Sequence, residues 1–106
     1  MHAFEVLGDP VRRRTLEMLG GGERAAGEIV EVMRDEFAIT QAAVSQHLKV
    51  LRDHGFAQVR IHGARRIYAL DADPLREVDA WLEPFRRFWE PKLDALGAEI
   101  ARGRRS

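Results

Sequence analysis

Residues 40–70 read TQAAVSQHLKVLRDHGFAQVRIHGARRIYAL, and a change of period inside this stretch decides the fold. Thr40 is a favoured N-cap residue, and Val44, Leu48 and Leu51 follow at steps of four and three. That spacing predicts a helix from residue 41 to about 54, closed by Gly55. The face left outward holds Gln41, Ala42, Ser45, Gln46 and Lys49, with no acid before Asp53. A helix built only for solubility more often carries Glu and Lys pairs there. After Gly55 the period falls to two: Phe56, Val59 and Ile61 sit among polar residues, then Ile67, Tyr68 and Leu70 return. Between them His62-Gly63-Ala64-Arg65 turns, and a Gly at the first central position suits a two-residue hairpin.

The hairpin bears Arg60, His62, Arg65 and Arg66. A helix with a small polar outer face, followed directly by a basic hairpin, describes a winged helix-turn-helix. The helix would enter a major groove and the hairpin would lie along the backbone or a minor groove. Charge supports this. The 106 residues hold 17 basic and 17 acidic side chains, but residues 1–39 balance at −3, residues 40–70 at +4 and residues 71–106 at −1. A basic middle between acidic flanks is the footprint of one element meeting a polyanion while the rest scaffolds it.

Working outward, residues 1–7 form a short apolar-leaning stretch with Phe4 and Leu7 three apart, expected to be a small helix. Asp9-Pro10 is a strong helix start, with Val11, Thr15, Met18 and Leu19 on one face and Gly20-Gly21-Gly22 as the stop. A helix from about Arg24 to Met33 is expected next, with Ala26, Ile29, Val30 and Met33 inward. Arg34 to Ile39 then reads as a six-residue connector anchored by Phe37 and Ile39. On the far side, Asp73-Pro74 starts another helix by the same logic as Asp9-Pro10. From there Leu75, Val78, Trp81, Leu82, Phe85, Phe88, Trp89, Leu93, Leu96 and Ile100 form a stripe, in which Pro84 and Pro91 should break the helix into two or three pieces.

Composition closes several alternatives. The chain is long enough for one domain over residues 1–106, and its 45% hydrophobic content can build a core. It has no Cys, which removes disulfides, thiolate metal sites and Cys nucleophiles together. No apolar run approaches a membrane span, and the N-terminus lacks the pattern of a signal peptide, so a cytoplasmic protein without membrane contact is expected. Gly20 to Gly22 follows a helix and lacks a Lys-Ser/Thr, so it is no phosphate loop. An enzyme is the weakest class.

The segments LGDPVRRRTLEML, AVSQHLKVLRDHGF and HGARRIYAL resemble the ArsR-type winged-helix transcriptional repressors, and WLEPFRRFW is similar to a branch of that family without a metal site. The match covers about residues 3–96. The resemblance implies a fold that is mostly α with a β-hairpin wing, dimerising through its N- and C-terminal helices. Its helix-turn-helix would span about 24–54, its wing about 56–70 and its dimerisation helices about 73–101. It also implies a homodimer on a palindromic double-stranded DNA operator. DNA contacts carried over are Gln41, Ala42, Ser45, Gln46, His47 and Lys49 on the helix and Arg60, Arg65 and Arg66 on the wing; alternation alone leaves open which of Arg65 and Arg66 faces DNA. The dimer interface would draw on Phe4, Leu7 and the stripe from Leu75 to Leu96.

Two departures from the family stand out. The six-residue connector exceeds the usual three or four, and the family's metal ligands are missing. There is no Cys, and the four His (2, 47, 54 and 62) avoid the last helix. His47 and His54, seven apart on one helix, are about 10 Å apart by helical rise, too far for one ion. No metal and no cofactor are expected. Arg12, Arg13 and Arg14 either reach phosphates or cover a helix start. Two other readings remain: a protein-binding adaptor on the same fold, which should show acidic or apolar residues on the outer face of 41–49, and an apolar effector pocket between the C-terminal helices.

Overall fold

The computed structural model describes residues 2–90. The chain divides into two compact units, one up to Arg76 and one from Glu77. The first contains α1 (Ala3–Leu7), α2 (Pro10–Gly20), β1 (Arg24–Ala25), α3 (Ala26–Phe37), α4 (Gln41–Asp53), β2 (Ala57–His62) and β3 (Arg65–Leu70). Helix α5 (Asp73–Leu82) crosses the division, and a 3-10 helix (Glu83–Phe88) follows. The three strands form one antiparallel sheet in the order β1-β3-β2. This is a winged helix-turn-helix.

Local chemistry explains most boundaries. The Asp9 carboxylate accepts from the Val11 and Arg12 N–H groups at 2.8 and 3.2 Å, with Pro10 as the first residue of α2. Thr40 Oγ1 accepts from Ala43 N–H at 3.1 Å and starts α4. Helix α4 ends in a Schellman motif. Gly55 takes φ +78°, its N–H donates to Arg52 O, and the next N–H, of Phe56, donates to Leu51 O at 2.9 Å. Leu51 and Phe56, the pair such a motif brings together, are both fully buried. At the wing tip Gly63 takes φ +64° while Ala64 stays negative, the pattern of a type II′ turn.

The core of the first unit joins Val6, Val11, Leu16 and Leu19 to Ile29 and Met33, to Val44, Leu48 and Leu51, and to Phe56, Ala57 and Tyr68. On α2 the buried set includes Leu16, while Met18, expected inward, packs only at the edge. Thr15 is buried with its hydroxyl donating to Val11 O at 2.8 Å, so no polar atom is stranded there.

Three expectations are corrected. Arg24 and Ala25 are not helical; they pair with Tyr68 and Ile67 as β1. Helix α3 continues to Phe37, so only Ala38, Ile39 and Thr40 separate it from α4. The long connector therefore does not exist, and the turn has ordinary length. Ala38 makes this possible by taking φ +53° as a left-handed C-cap, and the Arg14–Glu36 pair holds the last turn of α3 against α2. Asp73 is the first helical residue of α5 rather than its cap, and the carboxylate accepting from its N–H is that of Asp71, at 3.1 Å.

In the second unit Pro84 ends the α-helical hydrogen bonding, and the chain tightens into the 3-10 helix, as expected of a residue without an N–H. Pro91, Leu93, Leu96 and Ile100 lie outside the described residues.

Candidate nucleic-acid interface

Burial of Val44, Leu48 and Leu51 fixes the rotation of α4 and leaves Gln41, Ala42, Ser45, Gln46 and Lys49 exposed along one face. These five are brought together as the sequence predicts. His47 is turned elsewhere. Its Nδ1 lies 3.2 Å from Arg12 Nη1 and 3.8 Å from an Asp9 carboxylate oxygen, at the start of α2. Since a guanidinium only donates, a hydrogen bond there has Nδ1 accepting and leaves the ring proton on Nε2. His54 Nδ1 is 2.8 Å from Val50 O on its own helix, so the two rings serve different neighbours.

The register of the hairpin separates its arginines. Ile61 pairs with Arg66 and Val59 with Tyr68, which puts Arg66 on the sheet face that carries Tyr68. His62 pairs with Arg65 and Arg60 with Ile67, on the opposite face. Arg66 and Tyr68 join Ala26, Ala42, Ser45, Gln46, Leu48, Lys49 and Arg52 in lining a groove of about 430 Å³. Among the described residues, three cations line it and no carboxylate does. Lys49 and Arg52 share only Asp53, at 3.9 and 3.6 Å, and Arg66 has no ion-pair partner among the described residues. On the other face, Arg60 pairs with Glu23 at 2.8 Å and Arg65 with Glu28 at 3.1 Å.

Sequence reasoning missed Arg52 as a groove residue. The signal was its position one turn after Lys49, but only the packing of the wing against α4 shows that the face continues that far. Ile61, two residues beyond Val59 on the same face, is 67% exposed near the wing tip, beside Arg66.

Arg12, Arg13 and Arg14 are all used within the chain. Arg12 donates to Val6 O and Glu5 O, and Arg13 to Leu7 O at 2.7 Å, so both cap the C-terminal carbonyls of α1. Arg14 makes a forked contact to Glu36, which raises the guanidinium's pKa and holds the carboxyl below its usual range, the direct hydrogen bond being the main cause. Among the described residues no three His, Cys, Asp or Glu side chains converge to hold a metal ion, and no helix is long and apolar enough to cross a membrane.

Of the expected dimer residues, Phe4 is exposed, Leu7 and Leu75 pack partly against the core, and Val78 and Leu82 are half-buried. In the second unit Trp81, Phe85, Phe88 and Trp89 are 40–69% exposed. The Trp81 and Phe85 rings meet in a tilted contact with centroids 4.8 Å apart, and the Arg87 guanidinium lies over Phe88. Leu93 and Leu96 lie outside the described residues.

Residues 7–60 match the model of a helix-turn-helix domain family. The HTH-type transcriptional regulator Rv2034 of Mycobacterium tuberculosis is 37% identical over 91 residues, covering 86% of this chain and 78% of that protein. The chain belongs to the ArsR family of winged helix-turn-helix regulators. The transcriptional repressor SdpR of Bacillus subtilis is another relative, 30% identical over 79% of this chain and 89% of its own. The crystal structure of an ArsR family transcriptional regulator superposes with a TM-score of 0.69 at 28% identity, over 83% of this chain and 87% of that one. This ArsR-family chain is thus a transcriptional regulator with a DNA-binding helix-turn-helix, and its relatives are not enzymes.

Proposed function

We propose that this regulator is a homodimeric repressor that binds a palindromic operator in the cytoplasm, with residues 1–106 acting as one winged-helix domain and without a metal response. The observation that carries the reading is the acid-free outer face of α4 continuing into the cationic groove with Arg66. Gln41, Ser45 and Gln46 supply base readout, since Gln pairs with adenine and Ser with several base edges, while Ala42 meets a thymine methyl. Lys49, Arg52 and Arg66 supply phosphate contacts and the salt-dependent share of affinity. The same face argues against a protein-binding adaptor, which would favour acidic or apolar residues there.

A row of half-exposed aromatics in the second unit supports pairing between two copies, because apolar area of this kind is normally covered. Two copies then present recognition helices roughly 34–36 Å apart, or a multiple of that. The absence of Cys supports a regulator released by something other than a thiolate-bound metal.

The test is fluorescence anisotropy on DNA upstream of the protein's own gene and on a shuffled duplex, at several salt concentrations. Tight, salt-dependent binding to the first and weak binding to the second is expected. Gln46→Ala should cost about 1–3 kcal/mol at one base position and change sequence preference without changing the salt slope. No binding at low salt from a folded dimer would favour the adaptor.

A further inference from the structure

Glu23 and Glu28 flank β1, and the pairing of β1 with β3 carries both carboxylates to the wing. There Glu23 Oε2 meets Arg60 Nη2 at 2.8 Å and Glu28 Oε1 meets Arg65 Nη2 at 3.1 Å, each across 37 positions of chain. Glu28 is held in place independently, because the same Oε1 accepts the Ala25 N–H at 3.2 Å. Arg60 and Arg65 on this face of the wing are thereby each matched with one carboxylate, whereas Arg66 on the other face has none among the described residues. All four side chains are half-exposed, so each pair is weak in water and exchangeable.

A DNA phosphate competes for the same guanidinium N–H groups. Arg60 or Arg65 must leave its carboxylate to reach one, which lowers the net gain of that contact. Phosphates carry no sequence, so the reduction falls equally on every duplex. The side chains of α4 that read base edges are untouched by it.

Building on the DNA-binding reading, we propose that Glu23 and Glu28 set how strongly the wing holds the DNA backbone. They hold Arg60 and Arg65 on internal acceptors and so lower affinity for DNA of any sequence while leaving base readout intact. Affinity for the upstream duplex and for unrelated DNA falls by the same factor, and the specificity ratio between them is unchanged.

The experiment uses the full chain and an unrelated-sequence duplex alongside the upstream duplex, between about 50 and 200 mM salt. The variant E23Q/E28Q removes both charges while the Gln at 28 still accepts from the Ala25 N–H. The control E31Q/D35N removes equal charge from α3 at side chains that hold no wing arginine. E23Q/E28Q is expected to bind both duplexes about fivefold more tightly, with a salt slope steeper by about two per subunit. The control should change affinity less than about twofold. Adding R60A/R65A should abolish the gain, and circular dichroism melts should show all variants folded. An unchanged E23Q/E28Q in a protein that binds DNA overturns the inference alone, as does an equal gain in the control. Failure of the wild type to bind either duplex overturns the DNA-binding reading and this inference together.

Discussion

The two faces of the wing carry the same residue type and behave differently. Arg66 shares a face with Tyr68 and opens into the groove beside α4, where no carboxylate among the described residues answers it. Arg65, its immediate neighbour in sequence, points the other way and is held by Glu28, as Arg60 is by Glu23. Adjacent identical residues thus differ because a strand alternates, and because the acidic start of the chain folds back on one side only. Charge counted along the sequence overstates what the wing offers to a polyanion; charge counted by face does not.

Breaking both faces at once should have the largest effect. Phe56, fully buried, fixes where the hairpin leaves α4. Phe56→Ala should lose about 3–5 kcal/mol of stability in urea titrations. Next comes Arg66→Ala, expected to weaken operator binding about tenfold and to shallow the salt slope by about one per subunit. Arg65→Ala should cost less than about threefold, since its charge is already answered within the chain. Equal losses for the two neighbours would show that the faces are equivalent. The smallest effect lies at the foot of the paired face, where Asp71 accepts from the Asp73 N–H and from the Gln58 side chain. These bonds, the backbone one first, hold its pKa below the usual carboxylate range. A lowered folded pKa stabilises the protein above the unfolded value and loses that contribution as pH falls through the folded one. The window therefore lies below about pH 4. Asp71→Asn should flatten this acid limb in melts compared between neutral and acid pH.

What the sequence made legible was local. Asp9, Thr40 and Gly55 announce helix ends because a cap needs only three or four neighbouring residues. The outer face of α4 follows from three apolar positions, and the hairpin from one glycine. What escaped depends on distant partners. Arg24-Ala25 is too short to show a period and becomes a strand only by meeting Ile67 and Tyr68. The last turn of α3 reads as polar connector until Arg14 grips Glu36. Arg12 and Arg13 read equally well as phosphate contacts until α1 is seen to end against them. The place of Arg66 required the register of β2 on β3, which alternation alone does not supply.

Only His54, Gly55 and Phe56 separate the last turn of α4 from the wing, and all three backbone N–H groups donate to carbonyls of that turn. Helix and hairpin are therefore a single rigid jaw with no hinge. Such a reader has no freedom to re-aim its wing from one site to another, so the adjustment falls to the duplex. Operators that suit it are those that bend cheaply, with yielding pyrimidine–purine steps at positions no side chain touches.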